Sequence, residues 1–403
     1  MSDEVPEYVI PPGGGVPWRD LTMREAHRPV ERDIEITDVS TMVLQGNFKW
    51  GIVKVDTNTD VYGIGEVHGD GPQTAGPLLE GENPLDIDRL VEFGISDGIE
   101  IALWDIKGKV LDVPAYELMG GKYRDRVRIY CDTHGGESLG AAQSGRVDPR
   151  EVYTPESYAK AAREVVDAGF DALKFDLDVR THAQVDTAAR RLDNAAIEHK
   201  VSLVEAVRDE IGYDIDLGFD LHWNFTVETA TRLGARLEPF ELAWLEDPVP
   251  PWHYAAHHRV RESVDVPIMT GENLRNPGEF KQLLEADGAD IAAPDINNCA
   301  GLTNFRRIAH LCDLEGIPIA AHNIGSPIAT VAAAHGAASI PNFIALEYHA
   351  FDVPWWEELV HRTGETGSII EDGSVDLPEG PGLGIEIDPE VANRYRISGD
   401  ALF

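Results

Sequence analysis

From Arg126 onward the chain alternates short apolar runs with amphipathic stretches, and this alternation constrains the fold more than any other feature of the sequence. The spacing predicts strands over 127–131, 172–175, 215–219, 242–245, 267–270, 291–293, 317–320 and 343–346, bounded by turn residues. Between them, 157–168, 195–211 and 226–237 carry apolar residues at three- and four-residue steps, the mark of helices with one buried face. Eight strands separated by helices predict an α/β fold, a (β/α)8-type barrel. Ahead of the barrel, 34–44, 49–56 and 61–67 read as a short antiparallel meander with a turn at 57–60, and a helical period runs from Asp97 to Gly120-Gly121. The first 125 residues are therefore expected to form a separate α+β domain.

In a barrel of parallel strands, side chains at the C-terminal strand ends meet at one mouth. Three acids hold that position: Asp220 ends "DIDLGFD", Glu246 ends "LAWLE" and Glu272 follows "VPIMTG", each 26 residues from the next. Three anions at neighbouring strand ends require a counter-charge. A hard divalent cation with oxygen ligands supplies it, and Mg²⁺ suits an open site of three carboxylates. A zinc hydrolase would favour His and Cys ligands, which are absent from this set.

Other strand ends carry chemistry as well. His222 lies two residues after Asp220, so an extended segment would point it into the same mouth. His322 ends "IPIAAH" and Asp295 ends "IAAPD"; a carboxylate beside an imidazole fixes its tautomer and makes a positioned general base. Glu347 ends the eighth strand, and Lys174 and Asp176 share one side of the second, the lysine as a charge neutraliser.

These residues resemble the mandelate racemase subgroup of the enolase superfamily over nearly the whole chain. "IEIALWDIKGKVLDVPAYELMGG" is similar to the helix joining cap to barrel in that family, and "FDLH", "WLEDP" and "TGEN" to its metal-ligand segments. The resemblance implies a modified (β/α)7β barrel over 126–360 and an α+β capping domain over 1–125 completed by 361–403. It also implies that Mg²⁺ is held by Asp220, Glu246 and Glu272. The Asp295/His322 pair matches the family dyad. Where the racemases carry Lys-x-Lys, this chain has Lys174-Phe175-Asp176, so the second base of a two-base racemisation is missing.

The histidine two places after the first ligand is similar to that of the sugar-acid dehydratases acting on gluconate, xylonate, arabinonate or galactonate. In that scheme His322 takes the C2 proton and His222 protonates the departing C3 hydroxyl. Lys174, Asp176, Glu347, Asn47 and His134 are the expected substrate contacts, with His68 of "GEVHGDG" a further one and Gly13 to His27 an expected lid. Mannonate fits less well, because the Tyr-Lys-Ala-Ile-Arg-like second-strand segment of its dehydratases is absent. The competing readings are a hydroxy-acid epimerase or racemase with the same metal, and a non-catalytic sugar-acid-binding protein.

Composition narrows the partners. With 71 acidic against 34 basic side chains the formal charge is −37, which repels nucleic acid and suits a surface kept hydrated in concentrated salt. No apolar run suggests a membrane span or signal peptide, and the three cysteines form no metal or disulfide pattern. A cytoplasmic protein of a halophile, a homo-oligomer with a small-molecule partner, is the expectation.

Overall fold

The protein is described here as a computed structural model over residues 34–70, 76–136, 152–179 and 190–399. The lid expected over Gly13 to His27 lies outside these residues. Strands β1 (Ile36–Gln45), β2 (Lys49–Thr57) and β3 (Tyr62–His68) form the antiparallel meander, and β16 (Arg396–Gly399) adds to the open edge of β1. Helix α1 (Asp97–Leu111) packs on this sheet at very close range: a Cβ on Gly65 would lie 2.0 Å from the Gly98 carbonyl. The helical run does not continue to Gly120-Gly121. It stops where Asp112 turns left-handed at φ 56° ahead of Pro114, and a short α2 (Ala115–Leu118) follows. Proline lacks the amide hydrogen a helix interior needs and disfavours helical geometry in the residue before it.

The barrel consists of β4 (Arg126–Thr133), β5 (Ala172–Asp176), β6 (Asp216–Asp220), β7 (Trp244–Glu246), β8 (Ile268–Thr270), β9 (Ile291–Ala292), β10 (Ile319–Ala321) and β11 (Phe343–Tyr348). All are parallel, and β11 pairs with β4 through Glu347 opposite Tyr130, which closes the ring. Helices α3 (Pro155–Asp167), α4 (Asn194–Ile211), α5 (Val227–Leu237), α6 (Tyr254–Arg261), α7 (Pro277–Glu285), α8 (Gly301–Leu314) and α9 (Pro327–Ala338) follow the first seven strands in turn. Among the described residues β11 has no such helix, so the barrel is (β/α)7β. The chain continues through β12 (Val360–Arg362), which pairs with β15 (Ile385–Ile387), and through β13 (Ile370–Glu371) and β14 (Ser374–Asp376), a hairpin that lies antiparallel along β4.

The two-residue period of a strand sorts the barrel interior into layers. Tyr130, Ala172, Trp244, Met269, Ile291, Ala320 and Ala345 make an apolar floor. Gly218 leaves room there, since a Cβ would come within 2.4 Å of the Trp244 indole. One step up each strand, Asp132, Lys174, Asp220, Glu246 and Glu347 replace the apolar side chains, all of them buried. The same alternation that builds the core thus delivers a polar layer on top of it.

Two barrel helices begin on acceptors supplied from outside the barrel. α8 starts after Ala300, which has no capping side chain, and Glu100 of α1 takes its place: it accepts from Leu302 N at 2.8 Å, Thr303 N at 2.9 Å and Thr303 Oγ1 at 2.5 Å. Glu66 of β3 accepts from Ser326 N at 3.0 Å and Ala329 N at 3.3 Å at the start of α9. A carboxylate at these positions satisfies amides that the helix cannot and favours the positive end of the helix dipole. Among the described residues no helix is long and apolar enough to cross a membrane.

Candidate active site

Asp220, Glu246 and Glu272 converge at the mouth as expected from their strand-end positions, with one ligand atom from each within 4.8 Å of the others and all three buried. Glu246 Oε1 has no hydrogen-bond partner, an orphaned buried oxygen that a cation would satisfy. An all-oxygen, all-carboxylate set fits a hard divalent ion. Burial, and the crowding of Asp220, Glu347 and Glu272 against the relief given by Lys174, push the Glu246 carboxyl well above its usual range.

Lys174 is completely buried and spans the layer. Its Nζ lies 2.8 Å from Glu246, 3.0 Å from Glu347 and 3.3 Å from both Asp132 and Asp220. Burial disfavours its charge, but Glu246, Glu347 and Asp132 outweigh this and hold the amine protonated. Glu347 also accepts from Tyr130 OH at 3.0 Å and Asn323 N at 3.2 Å. Against the cost of burial, Lys174 and His322 draw its carboxyl down to about 2.

His322 and His222 stand on opposite sides of the triad, following β10 and β6. His322 Nδ1 donates to Asp295 Oδ2 at 2.6 Å, and its Nε2 lies 3.1 Å from Glu272 Oε2. Asp295 is fully buried and its other oxygen accepts from Asn297 N at 2.6 Å. Despite burial, His68 and His322 keep this carboxyl below the usual range, so it acts as an acceptor and fixes the imidazole tautomer. His68, at the end of β3, reaches the same Oδ2 with Nε2 at 2.9 Å.

His222 reaches the mouth by a different route from the one its spacing suggested. β6 ends at Asp220, and both His222 (φ 41°) and Trp223 (φ 51°) are left-handed, so a turn and not an extended pleat aims the ring. The turn is held by His222 N donating to Asp220 Oδ1 at 2.7 Å and by His222 Nδ1 against Asp178 Oδ1 at 3.2 Å, with Asn224 bonded to the second Asp178 oxygen. Its Nε2 then lies 3.7 Å from Asp220 Oδ2 and 3.9 Å from Asp176. Burial opposes its charge, but Asp220, Asp176 and Asp178 raise the imidazole well above its usual range.

The remaining expected contacts gather on the β4 and β11 side. His134 Nδ1 faces Asp176 at 3.5 Å, and Asn47, from the β1–β2 turn, donates to the His349 carbonyl at 2.5 Å and to Asp352 at 3.2 Å. Beside them opens a cavity of about 200 Å³ lined by Asp132, His134, His349, Phe351 and Asp352 among others. His134 and His349 are in opposite states. Asp176 and Asp132 lift the first to about 9 against burial, whereas burial and the neighbouring His134 push the second down to about 3. Asp132, Tyr130, Asp178 and His349 were not singled out from the sequence. Asp132 and His349 obey the rules that found the others, since one follows the apolar run 127–131 and the other follows Glu347 by two residues.

Residues 157–391 match the model described as enolase C-terminal domain-like, and residues 90–120 match the mandelate racemase / muconate lactonizing enzyme N-terminal domain. The chain belongs to the enolase superfamily, in its mandelate racemase / muconate lactonizing enzyme branch. It is 43% identical to the D-xylonate dehydratase of Haloferax volcanii, over 92% of this chain and 91% of that one. It is 30% identical to the D-gluconate dehydratase of Thermoproteus tenax, over 74% of this chain and 55% of that one. A solved mandelate racemase/muconate lactonizing enzyme-like protein from Rubrobacter xylanophilus superposes with a TM-score of 0.83 at 36% identity, covering 90% of this chain and 98% of that one.

Proposed function

We propose that this chain is a hydro-lyase that removes water from an aldonic sugar acid to give the 2-keto-3-deoxy acid, with D-xylonate the first substrate to test. The observation that carries this reading is the placement of two carboxylate-held imidazoles, His322 and His222, on opposite sides of a buried carboxylate triad. Dehydration next to a carboxylate needs one group to take the C2 proton and another to protonate the leaving hydroxyl. The named activities of the relatives support the same choice.

Asp220, Glu246 and Glu272 would hold the cation, Mg²⁺ in this reading. When bound, it supplies positive charge to the triad and to the negative charge that develops on the substrate carboxylate. His322 Nε2 takes the C2 proton, and the electron pair moves toward the carboxylate. Against burial, Glu272, Glu347 and Asp295 together raise the His322 imidazole, and a cation on the triad would offset the first and largest of these three. Return of the electrons expels the C3 hydroxyl, which His222 protonates to water, and the resulting enol becomes the keto acid.

Lys174 balances the carboxylate layer, while His134 lines the cavity where the hydroxylated tail would lie, with Asp176 facing His134 and Asn47 bonded to His349 and Asp352 of the same lining. Residues 1–125 with 361–403 act as the cap and 126–360 as the barrel. Asp176 replaces the racemase lysine, which argues against two-base racemisation on that side.

The test is incubation in multimolar KCl with Mg²⁺ and a panel of C5 and C6 aldonates, with carbonyl detection of 2-keto-3-deoxy acid. Keto acid is expected from D-xylonate, and EDTA is expected to abolish it. Deuterium exchange at C2 without keto acid from any aldonate would instead identify an epimerase.

A further inference from the structure

The base at His322 is built from more than its own strand. Glu66 and His68 lie two residues apart on β3, so the pleat turns both toward the barrel. Glu66 is fully buried and bonded to Ser326 and Ala329, which follow His322 by four and seven residues. That anchorage fixes β3 against the segment carrying the base. One pleat further on, His68 places Nε2 2.9 Å from Asp295 Oδ2, the oxygen that also receives His322 Nδ1 at 2.6 Å. Asn297 N occupies the other carboxylate oxygen. Asp295 is therefore held at three points, one of them from the N-terminal sheet.

We propose that His68 is a positioning residue for proton abstraction: by donating to Asp295 Oδ2 it holds that carboxylate against His322 Nδ1 and keeps His322 Nε2 turned to the substrate. A carboxylate with one free rotation could satisfy Asn297 and still swing away from the imidazole. The third bond removes that freedom. His68 acts through Asp295 and not on the substrate, so its loss falls on the chemical step and leaves substrate affinity intact. This inference rests on the assignment of His322 as the base.

The experiment compares His68→Leu, which removes the donor, with His68→Gln, whose amide reaches the place of Nε2. The expected result for His68→Leu is a kcat lowered on the order of 10- to 100-fold, the usual effect of losing one hydrogen bond to a charged group. KM should stay within about threefold, and the isotope effect with C2-deuterated aldonate should be larger than in the wild type. His68→Gln should recover most of the kcat.

A wild-type kcat in His68→Leu, a loss that Gln does not repair, or a raised KM at unchanged kcat would each overturn the proposal, the last by making His68 a substrate contact. If His68→Leu does not fold, as read by its melting temperature, His68→Gln against the shorter His68→Asn carries the same contrast. A wild-type protein that makes no keto acid defeats the dehydratase reading on which this inference rests, whatever His68 does. An active wild type with a dead His322→Ala and a normal His68→Leu defeats only the role of His68.

Discussion

The two sides of the barrel mouth hold their histidines in different ways. On the β9–β10 side, His322 is 9% exposed and rests on a carboxylate that is itself tied to Asn297 and His68. On the β5–β6 side, His222 is 36% exposed, sits in a left-handed turn and leans on Asp178, which is itself bonded to Asn224. A group that must take a weakly acidic proton from carbon gains from fixed geometry. A group that protonates a departing hydroxyl can tolerate more freedom and needs its charge, which three neighbouring aspartates provide.

The sharpest way to break this comparison is to remove each ring in turn. His322→Ala is expected to lower turnover by on the order of 10²–10⁴ and to abolish C2 exchange with deuterated water, while Mg²⁺ binding by calorimetry persists. His222→Ala should lose dehydration to a similar degree yet keep exchanging C2, because the base remains. If His222→Ala were the variant that loses exchange, the two roles would have to be interchanged.

A third histidine shows what burial does without carboxylates. His335 accepts from Tyr116 N at Nδ1 and donates from Nε2 to the Leu383 carbonyl at 3.1 Å, and burial lowers its pKa to about 4. The unfolded chain binds a proton more readily than the folded one between about pH 6.5 and pH 4. The His335 contribution to stability should therefore fall as pH falls through that window, by on the order of 3 kcal/mol, and level off below it. Denaturation at pH 6.5, 5 and 4 in KCl should show a shallower decline in His335→Gln than in the wild type.

The smallest expected effect separates the two supports. Asp178→Asn should cost roughly 10- to 100-fold in dehydration, from one hydrogen bond to a charged ring, with C2 exchange unchanged. An equal loss of exchange would show that Asp178 serves both sides.

Strand ends were legible in the sequence because one rule, polar residues closing apolar runs, covers Asp220, Glu246, Asp295, His322 and Glu347 at once. The barrel followed from the same periodicity. The aim of His222 was less legible, because a left-handed backbone at a non-glycine residue leaves no mark in composition. Asp178 lies beyond its strand and finds His222 only through that turn. Most hidden were Glu66 and Glu100, acids whose partners lie 260 and 202 residues away and whose spacing carries no information about them.

Those two carboxylates have a consequence for how the chain comes into being. During synthesis Glu66 and Glu100 emerge long before Ser326 and Leu302, so the early part of the molecule waits in water with its acids solvated until the later helices arrive. A barrel begun at Arg126 would carry both helix starts without these acceptors, and a foreign N-terminal domain would have to bring acids to the same two places. In this chain the cap is therefore tied to the barrel by two buried carboxylate latches as well as by the site it covers.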